Sequence, residues 1–209
     1  MLRSPSHPSP ITWKYHRCEE ESAVAKRQQK VHPQLGPAAV RIFAANDRMN
    51  QMLIEHLDLA AWRAKAPGNA RTIAAIFTHM HNVRSKWVRL AAPHLEVPPR
   101  LNRARCTPQQ AREGLAESAA RCEEMLAEAL GGSGGHVEQF RRDGWSRPWP
   151  PGPEMFCYML AHEAHHRGQV LMLAHQLGFR LPNKVMSGMW DWGKLWKECG
   201  WPNGPGYDS

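Results

Sequence analysis

From Pro37 onward the apolar residues recur with a helical period. Val40, Phe43, Met49, Leu53 and Leu57 fall close to a 3.6-residue spacing, with Asn46, Asn50 and Glu55 interleaved, and predict a first helix. Pro67-Gly68-Asn69 breaks the connection that follows. A second helix is predicted from about Ala70 to Ala92, where Ile73, Ile76, Phe77, Met80, Val83, Trp87 and Leu90 make one apolar face, and Pro93, Pro98 and Pro99 then force a loop. Thr107-Pro108-Gln109-Gln110 reads as a capping box with Pro at the first helical position, so a third helix starts sharply there and runs to about Leu130. Glycines at 131, 132, 134 and 135 stop it, and His136 to Gly152 is irregular in pattern. A fourth helix is predicted from about Pro153 to Leu177, ended by Gly178, followed by a tail over 179–209 with room for one short helix.

Four helices of comparable length and no alternating strand pattern argue for an all-α fold, a four-helix bundle with a long irregular loop before the fourth helix. Residues 1–36 are rich in Pro, Ser, Gln and charge and cannot bury enough apolar surface to offset ordering, so they read as a disordered or loosely docked N-terminal tail on a body spanning 37–209. A few residues around Ile11-Thr12-Trp13 are the part of that tail suited to docking.

Composition narrows the class. There is no run of 18 apolar residues, so no membrane span is expected. The first 36 residues lack the apolar stretch of a secretory signal. The five cysteines (Cys18, Cys106, Cys122, Cys157, Cys199) are widely spread with no CxxC, as expected of reduced thiols in a cytoplasmic protein. The chain is basic, with 27 Lys+Arg against 19 Asp+Glu. Six of the former and three of the latter lie in residues 1–36, and the rest are dispersed rather than gathered in a stripe, which argues against a nucleic-acid groove binder.

The dense chemical feature is His162-Glu163-Ala164-His165-His166-Arg167-Gly168-Gln169 on the fourth helix. His162 and His166 are four apart, so their side chains leave one face a turn apart and can hold one metal ion between them. Among 12 histidines, about 0.7 such pairs are expected by chance, so the spacing alone is weak. Register gives it weight: Met155, Met159, His162, His166, Gln169 and Leu173 run down one stripe that should face the interior. A His-His-Gln patch there is costly unless satisfied, by a metal or by buried hydrogen bonds. His165 points about 100° away, towards the surface or the edge of the site. On the second helix His79 shares the face of Ile76 and Val83 and is the best third ligand, whereas His81 is expected to face solvent.

Thr78-His79-Met80-His81-Asn82-Val83-Arg84 with Trp87, followed by the His162–Gln169 string and Leu177-Gly178, resembles the DinB/YfiT-like superfamily over roughly residues 38–200. The resemblance implies a metal-binding four-helix bundle, often a homodimer, with a three-histidine divalent-metal site. Carried over, those ligands are His79, His162 and His166, with Gln169 and Arg167 as supporting residues. Several members of that superfamily transfer low-molecular-weight thiols or isomerise thiol-linked substrates. Three neutral imidazoles leave positions open on the ion, as in catalytic sites, where a metal would lower the pKa of water or of a thiol. Histidine ligands suit zinc or nickel, with iron and manganese also admissible.

The function expected is a metal-dependent transferase, thiol-dependent, or a hydrolase acting on a small molecule. The alternative is a non-catalytic metal-binding stress-response dimer. The same octet contains HExxH, which in a zinc peptidase would make Glu163 the general base. Its extended form fails, because Gln169 and Met172 stand where that motif needs Gly and His. Trp145 and Trp149 precede the fourth helix, and Trp190, Trp192 and Trp196 follow it. They suit an apolar wall over the metal, the closure of one bundle end, or a dimer contact. Cys157, off the ligand stripe, reads as a small core residue.

Overall fold

The computed structural model describes residues 35–65, 68, 70–131 and 153–201, and these contain seven helices and no strand. They are α1 Leu35–His56, α2 Leu59–Trp62, α3 Ile73–Ala91, α4 Pro108–Gly131, α5 Pro153–Gln176, α6 Asn183–Gly188 and α7 Trp192–Glu198. The N-terminal tail, the loop before α5, and Trp145, Trp149 and Cys18 lie outside the described residues. None of the described helices is long and apolar enough to cross a membrane.

Local chemistry sets most of the ends. Thr72 caps α3 by accepting from the Ala75 amide. At α4 the capping box forms reciprocally: the Gln110 amide donates to Thr107 Oγ1 at 3.2 Å, and the Thr107 amide donates to Gln110 Oε1 at 3.0 Å. At the end of α5 the Phe179 amide reaches back to Ala174 O and the Gly178 amide to His175 O. This Schellman closure needs the left-handed backbone that Gly178 adopts at φ 83°. Helix α1 begins two residues before the expected boundary, so Leu35 and Gly36 belong to the body. The reason is a close approach: a Cβ on Gly36 would sit 2.6 Å from Leu130 O at the end of α4. The C-terminal segment forms two short helices rather than one, and both pack on α1.

The four long helices make a closed ring of contacts, α1 on α4, α4 on α3, α3 on α5 and α5 on α1. Their interior is not one continuous apolar core. One cluster gathers Leu53, Ile73, Phe77, Met80, Leu115 and Val170, with Leu195 from α7. The other gathers Phe43, Trp87, Cys122, Leu126, Met155 and Met159. Between them lies a buried polar layer of Asn46, Asp47, Asn50, His81, Arg84, Ser118, Glu163 and His166.

Helix α3 buries more than the single face expected of it. Ile73, Ile76, Phe77, Met80 and Trp87 are buried as expected, but so is a second stripe of Ala74, Thr78, His81, Ser85 and Val88. His81 is therefore not at the surface. It is fully buried against α4, with Nδ1 2.7 Å from Gly114 O and Nε2 2.8 Å from Pro99 O. Gly114 admits the ring, since a Cβ there would lie 3.2 Å from His81 Nδ1. Cys157 also departs from expectation and is exposed.

Candidate metal centre

Three histidines from two helices converge on one point. His79 comes from α3, and His162 and His166 come from α5, one turn apart. His166 Nε2 lies 3.1 Å from His162 Nε2, which lies 3.4 Å from His79 Nε2. One ring nitrogen from each of the three lies within 4.8 Å of the others. Two nitrogens each 2.0–2.1 Å from one ion and at a tetrahedral angle are about 3.3–3.4 Å apart, and closer at smaller angles. The two spacings to His162 match that requirement and the third pair lies within 4.8 Å, so the three residues could hold a divalent ion.

The surroundings favour a neutral His166 imidazole. His166 Nδ1 donates to Gln169 Oε1 at 2.7 Å, which leaves its Nε2 lone pair free to face His162. Burial holds the His166 imidazole below its ordinary pKa, and the Gln169 acceptor only partly offsets this. Trp87 and Tyr158 pack against His162 with ring centroids 5.4 and 6.0 Å away. His165 lies beside the cluster, exposed, with its ring 5.1 Å from that of His166. A cleft of about 700 Å3, lined by Arg71, Ile76, His165, Gln169, Met172 and Leu173 and not by the three converging histidines themselves, opens beside Gln169, the partner of His166.

Glu163, adjacent to His162, faces the opposite way. It is fully buried, and Arg84 grips it with two hydrogen bonds, Nε to Oε1 at 2.6 Å and Nη2 to Oε2 at 2.7 Å. Asn46 and Asn50 donate to Oε2 as well. Burial alone would raise the Glu163 carboxyl, but the Arg84 charge and hydrogen bonds outweigh it and hold the group below the usual carboxylate range. A carboxylate so engaged cannot serve as the base of an HExxH peptidase, and that reading of the string is set aside.

The remaining members of the layer complete the polar network. Arg84 Nη1 reaches Asp47 Oδ1 at 2.6 Å and Leu115 O at 2.9 Å. Burial raises the Asp47 carboxyl, and its one bond to Arg84 does not compensate, so Glu163 is the principal partner of the guanidinium. Arg167 donates through Nη1 to the side-chain oxygens of Asn46 and Asn50, so the two amides bridge Arg167 to Glu163. Gln169 thus touches the histidine cluster directly, whereas Arg167 belongs to the network on the other side of α5.

Sequence reasoning brought out the three histidines and Gln169 but assigned no role to Arg84, Asp47, Asn46 or Asn50. The available signal was the polar triplet Asn46, Asp47 and Asn50 at helical spacing within an otherwise apolar stripe of α1. The tryptophans that follow α5 do not line the cleft beside the histidines. Trp190 and Trp192 line a separate groove between α1 and α5, and Trp196 is buried.

No curated protein and no solved structure matches the chain. The model of the DinB family matches residues 28–190, a span that holds α1 to α5 and all three converging histidines. The chain belongs to the DinB family.

Proposed function

We propose that the chain is a metal-dependent enzyme acting on a small molecule, with His79, His162 and His166 as the ligands of a divalent ion. The observation that carries this reading is the convergence of three ring nitrogens beside a cleft of about 700 Å3. Three ligands leave coordination positions free, and such openness belongs to catalytic rather than closed structural sites. A bound ion would act there as a Lewis acid that makes water or a thiol more acidic. Gln169 fixes the tautomer of His166, Trp87 and Tyr158 limit the motion of His162, and Arg71 gives the cleft a cation for an anionic substrate group.

A low-molecular-weight thiol is the co-reactant we favour, in a substitution that joins its sulfur to an electrophilic carbon of the second substrate while the bond from that carbon to its leaving group breaks and the thiol proton passes to solvent. The alternative, a metal that only holds the helices together, is disfavoured by the buried Arg84–Glu163 pair, which ties α3 to α5 without it. The test is turnover of thiol and an arylating electrophile such as 1-chloro-2,4-dinitrobenzene, which loses chloride, by protein reconstituted with zinc, nickel, iron or manganese. Metal-dependent loss of free thiol, absent in His79→Ala, supports the proposal. A metal-bound protein that is inert with all thiols and hydrolysable esters, and that melts far lower once stripped, supports the structural alternative.

A further inference from the structure

The groove on the α1 side of α5 is a second binding site by its own construction. It encloses about 530 Å3, within the range of small-molecule pockets. Its walls include Trp190, Trp192, Met186, Met189 and Leu160, and Arg167 is the one charged residue among those that line it. Trp190 is 76% exposed and Trp192 43%, an unusual display of large apolar surface at the mouth of a cavity. A thin ridge of α5, Ala164 and Gly168, separates it from the cleft beside the histidines.

The charge pattern says what would sit there. Arg84 has Glu163 and Asp47 as carboxylate partners. Arg167 has none within ion-pair distance among the described residues, and its bonds run from Nη1 to the neutral amide oxygens of Asn46 and Asn50. The guanidinium carries five N–H donors, so those on Nε and Nη2 are left for a ligand. A part-buried cation with no carboxylate in direct contact, lining the same groove as aromatic and thioether side chains, complements a molecule with one anionic head and an apolar body.

We infer that this groove binds an amphipathic monoanion, a carboxylate with an aliphatic or aromatic body, with Arg167 on the carboxylate and Trp190 over the apolar part. The inference does not rest on the metal reading: the groove takes its cation from Arg167 and its walls from the α1 side of α5, and it lacks Arg71, His165 and Gln169, which line the other cleft.

Calorimetric titration of the full chain with decanoate and with decanol, which differ in charge and not in chain length, tests the inference. Decanoate should bind at least about tenfold tighter than decanol, the scale of a charge-assisted hydrogen bond. Arg167→Gln should erase that preference. Trp190→Ala, at an exposed position, and Ala161→Phe, which fills the groove, should each weaken both ligands several-fold in a chain that stays folded. The preference should survive in the His162→Ala/His166→Ala variant, which removes a metal as the carboxylate's anchor. Equal binding of the two ligands, a preference that persists in Arg167→Gln or vanishes with the histidines, or indifference to Trp190→Ala and Ala161→Phe would overturn it. So would a chain of doubled mass in solution that Trp190→Ala returns to a monomer, since the groove would then belong to a second copy.

Discussion

Arg84 on α3 and Glu163 on α5 form a two-pronged ion pair with no exposed side-chain surface on either partner. Glu163 directly follows His162, so this bond fixes the rotation of α5 about its own axis. Rotation in turn decides whether His162 and His166 face His79. The pair spans the two helices that supply the histidines, and it stands in the polar layer between two apolar clusters.

Removing one partner should therefore cost far more than the pair is worth as a net interaction. Glu163→Gln takes the principal counter-ion from a buried guanidinium, leaving it Asp47 alone, and Arg84→Met takes it from a buried carboxylate, so chemical denaturation should show a loss of about 3–5 kcal/mol. A change below 1 kcal/mol would mean that the pair is solvated and does not fix the helix.

Gln169 acts on the metal ligand rather than on the fold. Gln169→Leu removes the acceptor of His166 Nδ1 at an exposed position, so metal affinity should fall about 10–100-fold, with stability of the metal-free chain nearly unchanged. Gln169→Glu keeps an acceptor and should restore affinity. Competition with a chromophoric chelator reads both.

His79 and His81 are two residues apart and should behave oppositely. His79→Ala should abolish metal binding with little loss of metal-free stability. His81→Ala should retain the metal but lower stability by about 2–4 kcal/mol, because it empties a buried site and leaves the carbonyls of Gly114 and Pro99 without their partner. Metal titration and denaturation of both variants separate the roles.

Glu123 on α4 supplies a pH dependence. Burial, with the nearby Asp47 charge, pushes its carboxyl from 4.5 up to about 7. The folded chain therefore holds this proton more tightly than the unfolded chain. The resulting stabilisation is full below pH 4.5 and is lost as pH rises through about 7. Glu123→Gln should raise Tm relative to wild type at pH 8 and give no such gain at pH 4. A gain of equal size at both pH values would contradict the assignment. Glu163 has the opposite sign: its carboxyl is held below 4.5, so its contribution is present above that pH and is lost on acidification through the lower, folded value.

Helix existence was legible because each long helix carries a periodic apolar face and a chemical stop, such as the Thr107–Gln110 box or Gly178. The three histidines were legible for a related reason: polar residues in an inward register demand an explanation. His81 was not, because α3 is sandwiched and its second buried stripe is, apart from Val88, made of Ala, Thr, His and Ser, which carry little apolar signal. Arg84 and Glu163 were hidden for the same physical reason. A charged residue in a sequence reads as surface, and only its partner 79 residues away makes its burial tolerable. The Trp190 groove depended on how the C-terminal segment packs on α1, for which no periodic pattern exists.

The most direct test of the account is the metal content of the purified chain, by elemental analysis and by titration of the stripped protein. The wild type should hold one divalent ion per chain and a folded His162→Ala/His166→Ala variant none, with His79→Ala equally deficient. Equal metal in the wild type and the double variant would contradict it.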